Sequence, residues 1–202
     1  MTTSPSEFGT AACHELLVRL AGRLPDRLLW RLREWLASGA HSAVAALLPR
    51  ALLRNRVGLT DEERDLLETA VAGHAPRKLL DAVLTLTTAD EPEVTFRPAP
   101  TADTTALCLL AVARGESGCT ELRQALRGSG RHAQRVVLVL VRADGPHPWA
   151  LAGTLARLLR AHGDPAPCVE VLPAGDPPAY HRAALAGSTL LWRRPEAPTV
   201  GH

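Results

Sequence analysis

Aromatic residues and lysine are the scarcest components of this sequence. Only 3% of the 202 residues are aromatic, and Lys78 is the single lysine among 23 basic residues. Because hydrophobic residues nevertheless make up 46% of the chain, the core has to be built mainly from Ala, Leu and Val. The near-exclusive use of arginine, together with abundant Ala, Gly and Pro, is typical of a GC-rich genome. A single arginine is therefore weak evidence for a binding site.

Paired cysteines and long apolar runs are also missing. No cysteine belongs to a CxxC pair or has zinc-ligand spacing with histidine, which argues against a structural zinc site. The longest apolar stretches, 106–113 and 136–141, are far shorter than the roughly 20 residues that span a bilayer. No apolar leader follows the polar N-terminus. We therefore expect a reduced, cytoplasmic protein with no membrane partner, and no cofactor, because no cofactor-binding fingerprint is present. The four cysteines are Cys13, Cys108, Cys119 and Cys168.

Residues 11–88 carry a helical pattern throughout. Leu16, Leu20 and Leu24 recur at the spacing of one helix face. Further along, Thr60 and Glu63 have the spacing of a capping box, in which each side chain accepts a hydrogen bond from the other residue's backbone N–H. The pattern predicts an N-terminal bundle of five or six short α-helices over residues 11–88. The Thr/Ser-rich residues 1–10 are predicted to be a disordered tail.

The periodicity changes after residue 88. Residues 89–104 predict a linker with a possible edge strand at 94–96. Residues 105–194 alternate continuous apolar runs with amphipathic segments, which is typical of βαβ units with strands buried on both faces. We therefore predict an α/β fold in which the helical bundle precedes a small, mostly parallel sheet domain at 105–194, with a C-terminal tail at 195–202. The predicted strands are 106–113, 136–141, 169–172 and 189–192, and the predicted helices are 120–126, 149–161 and 180–186.

Three polar loops follow predicted strands of this sheet, at 115–119, 144–147 and 175–181. Loops that leave the carboxyl ends of parallel strands commonly bind ligands, so these loops are where a site is expected. Their candidate ligand-binding residues are Ser117, Asp144 and Asp176. The same residue types are also common in ordinary turns and helix caps, which is the alternative interpretation of each.

Three further residues of these loops are candidates for catalysis: Cys119, His147 and His181. Cys119 is predicted to begin a helix, where free N–H groups and the helix dipole lower the pKa of a thiol. A histidine from a neighbouring loop would then act as its base. This combination requires the three strands before the loops to be parallel and adjacent. The alternative is that Cys119 is an ordinary residue at a helix start.

Arg27, Arg31 and Arg33 on the second predicted helix are candidate partner-binding residues. Amphipathic helices favour another protein as the partner, and nucleic acid is the alternative. A net charge of only +2 gives no separate reason to expect nucleic acid.

The absence of a catalytic signature and the many amphipathic helices favour a non-enzymatic interaction or regulatory protein of the bacterial cytoplasm. The arrangement resembles bacterial adaptor or effector-associated proteins, in which a small helical bundle recruits a partner. That resemblance is one of layout, without a motif, and implies no particular site residue. Two alternatives stay open. One is a small α/β enzyme or nucleotide- or metabolite-binding protein that uses the three loops. The other is a DNA-binding regulator that uses the arginine-rich helices.

Overall fold

The computed structural model describes residues 5–89, 93–101, 103–128, 133–143, 145, 147–173 and 175–195. Within these residues the chain forms eight α-helices and five β-strands. The helices are α1 (Pro5–Arg19), α2 (Asp26–Ala37), α3 (His41–Asn55), α4 (Asp61–Ala70), α5 (Arg77–Asp81), α6 (Thr104–Gly115), α7 (Pro148–Ala161) and α8 (Ala179–Ala186). The strands are β1 (Phe96–Pro98), β2 (Cys119–Arg127), β3 (Gln134–Val141), β4 (Cys168–Pro173) and β5 (Thr189–Arg193).

Helices α1 to α5 form the N-terminal helical region that the leucine periodicity predicts. Leu16 and Leu20 of α1 are fully buried in its core. The capping box is present at the start of α4: Thr60 Oγ1 accepts from the N–H of Glu63 at 3.3 Å, and Glu63 Oε2 accepts from the N–H of Thr60 at 3.0 Å. Helix α1 begins at Pro5, so residues 5–10 are helical, contrary to the predicted disordered tail.

The sheet is mixed, and the prediction of a mostly parallel sheet is wrong. Its strand order is β1-β2-β3-β4, and β5 pairs with β2 alongside β1. β2 runs antiparallel to β1, β3 and β5, and among the described strands the parallel pair is β3 with β4. The strands predicted at 136–141, 169–172 and 189–192, and the helices predicted at 149–161 and 180–186, are confirmed by β3, β4, β5, α7 and α8.

Two neighbouring elements are the reverse of the prediction. The run 106–113, predicted as a strand, lies in α6, and the segment 120–126, predicted as a helix, lies in β2. Asp103 accounts for α6, because its side chain accepts a hydrogen bond from the N–H of Ala106 at 2.7 Å and caps a run rich in Ala and Leu. β2 is paired along both edges, and this pairing overrides the helix propensity of its residues.

Helices cover both faces of the sheet. Val137 and Val139 of β3 pack with α6 and α7 on one face. The alternate residues Val136 and Leu138 pack on the other face with α8 and with Val18 of α1, as the two-residue period of a strand requires.

The helical region packs directly on the outer edge of β4. Arg33 Nη1 donates to the carbonyl oxygen of Val169 at 2.9 Å, and His14 Nε2 donates to that of Val171 at 3.2 Å. These side chains satisfy carbonyl groups that an edge strand leaves unpaired. Nearby, α2 approaches α7 so closely that a Cβ placed on Gly153 would lie 2.4 Å from the Cβ of Ala37.

Candidate functional site

A cavity of about 1080 Å³ opens between α1 and the carboxyl ends of β3 and β4. Because these two strands are parallel, the loops that leave them lie at the same edge of the sheet. The loops contribute Gly145, His147, Asp176 and Pro177 to the cavity wall. Two of the three loops that stand out in the sequence therefore line one cavity.

The third loop lies beside this cavity without lining it. The carbonyl oxygen of Gly118 accepts from the N–H of Arg142 at 2.9 Å, and a Cβ on Gly145 would lie 3.2 Å from the Cα of Gly118. The loops meet because β2 is antiparallel to β3, so that Cys119 at the start of β2 pairs with Val141 at the end of β3. Because β2 is antiparallel to β3, the loop before β2 reaches this edge of the sheet. If β2 were parallel to β3, the loop after β2 would lie there.

Helix α1, the turn after it and the start of α4 form the opposite wall. At the rim, Arg19 forms ion pairs with Glu15 at 2.9 Å and with Glu62 at 2.6 Å. Deeper in the wall, Arg23 pairs with Glu63 at 2.6 Å, and their side chains are only 5% and 3% exposed. The charges of Arg23 and Glu63 neutralise each other, so this buried part of the wall has no net charge.

His14 belongs to the same buried wall. Its Nε2 contacts β4, and burial, reinforced by the charge of Arg33, lowers the pKa of His14 to about 4. The imidazole is therefore uncharged at neutral pH. Four buried side-chain nitrogens lack a hydrogen-bond partner in the part of the chain that the structure describes. Two of them, His14 Nδ1 and Arg23 Nε, belong to residues that line the cavity.

Aromatic rings form another part of the cavity wall. The ring of His147 stacks on that of Trp149, with centroids 4.7 Å apart and an interplanar angle of 22°. The ring of His14 lies 6.4 Å from Trp149 at a tilt of 60°. All three residues line the cavity, and such a wall suits the ring of an aromatic ligand.

The structure does not bring Cys119 to this cavity. Cys119 is fully buried at the start of β2, in the core beneath α6 and α7. Burial raises the pKa of its thiol to about 11, which is opposite to the effect of the helix N-terminus that the sequence predicts. His147 lies exposed on the cavity rim. The predicted catalytic combination therefore has its members in separate environments.

His181 is fully buried, and it contacts a residue inside the protein and not the described residues of the other two loops. Its Nε2 donates to Glu170 Oε2 at 3.0 Å, and the same carboxylate accepts from Arg33 Nη1 at 2.8 Å and Nη2 at 2.7 Å. Burial alone would raise the pKa of Glu170, but the Arg33 guanidinium and the His181 hydrogen bond lower it to about 2. Arg33, a candidate for partner binding, is thus an internal counter-ion of the sheet.

The remaining candidates lie at the surface or outside the described residues. Ser117 is exposed in the loop before β2 and does not line the cavity. Asp176 lines the cavity at its rim, where it is 3.5 Å from Arg182. Asp144 lies outside the described residues. Arg27 and Arg31 are exposed one turn apart on α2.

Sequence reasoning did not identify His14, Arg23 or Glu170. His14 and Arg23 line the cavity because α1 packs across the sheet edge, and a helical pattern does not reveal what the helix packs against. Glu170 does leave a signal, because it is a lone carboxylate between valines in an otherwise apolar strand. A charge in such a position requires a buried counter-ion, here Arg33.

Comparisons with known proteins add no relative: no protein family, curated protein or solved structure matches this chain. The described residues contain no helix with the length and apolar character needed to cross a membrane. They also contain no group of three His, Cys, Asp or Glu side chains placed to hold a metal ion.

Proposed function

We propose that this protein is a regulatory binding protein that holds a small organic molecule in the cavity between α1 and the ends of β3 and β4. The observation that carries this proposal is the cavity itself, whose volume of about 1080 Å³ suits a small-molecule ligand. Its position at the ends of the parallel strands is where α/β sheets usually bind ligands.

The lining supports a ligand with an uncharged, partly aromatic body. The Arg23–Glu63 pair is internally neutralised, and Trp149 and His147 supply aromatic surface. Charged side chains such as Glu62 and Asp176 lie at the exposed rim, where they are able to contact a polar end of the ligand. Such a ligand contacts both the helical region and the sheet, so its binding stabilises their association.

This proposal is tested with three uncharged aromatic probes: phenol, indole and benzimidazole. Ligand-observed NMR is expected to show binding of these probes to the full chain. Ala11→Trp, on the exposed face of α1 that lines the cavity, is expected to abolish that binding. Ala46→Trp, on an exposed part of α3 outside the cavity, is the matched control and retains it. Absence of binding to the natural chain, or equal binding to both variants, would overturn the proposal.

A second candidate function is the recruitment of a partner protein through α2. Arg27 and Arg31 are exposed on one side of this helix, and neither forms an ion pair with a described residue. A partner found by co-purification is expected to be lost on charge reversal of both residues (R27E and R31E). Reversal of Arg50 and Arg54, which are exposed on α3, is the control. Partner retention after the α2 reversal would exclude this surface.

A further inference from the structure

His14 has one ring nitrogen committed to the protein and one without a partner. Nε2 lies 3.2 Å from the carbonyl oxygen of Val171. A carbonyl oxygen only accepts, so Nε2 carries the ring proton and Nδ1 is an acceptor with a free lone pair. Nδ1 is buried, and no described residue donates to it.

The environment keeps His14 in this neutral form. Burial lowers the pKa of the ring most, the charge of Arg33 lowers it further, and the charge of Glu170 opposes this shift. Both charged groups are engaged with each other through the bidentate contact of 2.7 and 2.8 Å. Protonation of Nδ1 would place a further positive charge beside Arg33 in a buried site. An uncharged acceptor is therefore maintained next to the cavity near neutral pH.

Buried acceptors in native proteins are nearly always satisfied by a donor. His14 lines the cavity, and the centroid of its ring lies 6.4 Å from that of Trp149. Nδ1 itself is covered in the protein without a ligand, so a ligand that lies against the aromatic wall reaches it when the side chains that cover it move aside.

We infer that His14 is the specificity-determining residue of this cavity, and that its Nδ1 accepts a hydrogen bond from an O–H or N–H group on an aromatic ligand. The inference rests on the proposed function and narrows it to phenols and N–H heteroaromatic compounds. His14 has no part in a reaction here; it selects among ligands by requiring a donor.

Matched pairs of probes test this selection: phenol with anisole, indole with 1-methylindole, and benzimidazole with 1-methylbenzimidazole. In each pair the methyl group removes the donor and leaves the ring. Dissociation constants from ligand-observed NMR titrations of the natural chain are expected to favour the donor compound by about 5- to 10-fold, the equivalent of about 1–1.4 kcal/mol. In His14→Phe the two members of each pair are expected to bind with about equal affinity, and the methylated compounds are expected still to bind.

Two further variants separate the acceptor from the fold. His147→Phe changes the other histidine of the same wall and keeps the aromatic stack, so the preference for donors is expected to persist. His14→Gln retains a donor for Val171 and an acceptor for the ligand, so it is expected to keep a preference that His14→Phe lacks. If His14→Phe does not fold, equal affinity for both members of each pair on the natural chain still overturns the inference, and His14→Gln remains the variant that tests the acceptor.

The outcomes distinguish the inference from the proposed function. Equal affinity for both members of every pair would overturn the role of His14, because Nδ1 would then accept no hydrogen bond from the ligand, while the cavity would still be a binding site. A preference that survives in His14→Phe would overturn it as well. Absence of binding by all six compounds would overturn the proposed function and this inference with it.

Discussion

Glu170 is a fully buried carboxylate at the edge of a hydrophobic sheet. It is held by both terminal nitrogens of Arg33 and by Nε2 of His181. Because desolvation of each charge is costly, such a pair adds little net stability compared with an apolar pair of the same volume. Removal of one partner is a different matter, since the other charge is then left buried without compensation.

Glu170→Gln is therefore expected to lower the free energy of unfolding by about 3–5 kcal/mol. The substitution keeps the size of the side chain but leaves the Arg33 guanidinium without its counter-charge. Urea unfolding followed by circular dichroism measures the change. Glu15→Gln, which removes an exposed partner of Arg19, is the control and is expected to cost less than about 1 kcal/mol. Equal effects of the two substitutions would contradict the structural role of the buried pair.

His14 makes the stability of the fold depend on pH. Its folded pKa of about 4 lies below its ordinary value of 6.5, so between these values the unfolded chain holds a proton that the folded chain does not. Stability is therefore expected to fall as pH drops from about 6.5 to 4. The pKa of Glu170 is lowered from 4.5 to about 2. The fold is therefore expected to lose further stability as pH falls from about 4.5 to about 2.

The contribution of His14 is isolated by His14→Gln. Between pH 7.5 and pH 5, the natural chain is expected to lose on the order of 2 kcal/mol through this one group, and the variant is expected to lack that part of the loss. Denaturant titrations at the two pH values give the comparison. His74→Gln, which changes an exposed histidine, should leave the pH dependence as it is in the natural chain. An unchanged pH dependence in His14→Gln would show that burial does not affect this imidazole.

At the scale of elements, α6 and β2 show where local pattern fails to predict structure. The run 106–113 is continuous and apolar, as a buried strand is, but buried helices share that pattern and Asp103 supplies the cap that distinguishes them. The segment 120–126 is rich in helix-forming residues, but it lies in β2, which is paired with other strands along both edges. β3, β4 and α7 were predictable because their length, composition and apolar pattern agree with each other.

The close contact between α2 and α7 can be tested by substitution of a glycine. Gly153→Ala would place a Cβ 2.4 Å from the Cβ of Ala37, so the two helices must separate. The expected cost is about 1–3 kcal/mol, although Ala favours a helix more than Gly does. Thermal or urea unfolding measures it.

Gly115→Ala at the end of α6 is the matched control, because a Cβ there meets no atom within 4 Å. It is expected to be neutral or to stabilise the fold by up to about 1 kcal/mol. If Gly153→Ala proved as harmless as this control, α2 and α7 would not be in close contact.

At the scale of the whole molecule, the candidate site could be predicted only in part. The rule that ligands lie at the carboxyl ends of parallel strands locates the loops at 144–147 and 175–181, and both contribute residues to the cavity. Nothing in the sequence shows that α1 forms the other wall, because this depends on His14 and Arg33 binding the edge of β4. Contacts between residues so far apart along the chain have no local signature.

The same contacts make the folding of the sheet depend on the helical region. Deletion of residues 1–88 would remove Arg33 from Glu170, uncover the carbonyl groups of Val169 and Val171, and expose the surface that Val18 covers. We therefore expect the fragment 89–202 to lack a cooperative unfolding transition and dispersed amide signals in NMR spectra. Addition of the fragment 1–88 is expected to restore both. A full chain cut at a protease site inserted after Ala89 keeps both parts and should retain the folded spectrum. Cooperative folding of 89–202 alone would instead show two independent domains, and the cavity between them would then form only on their association.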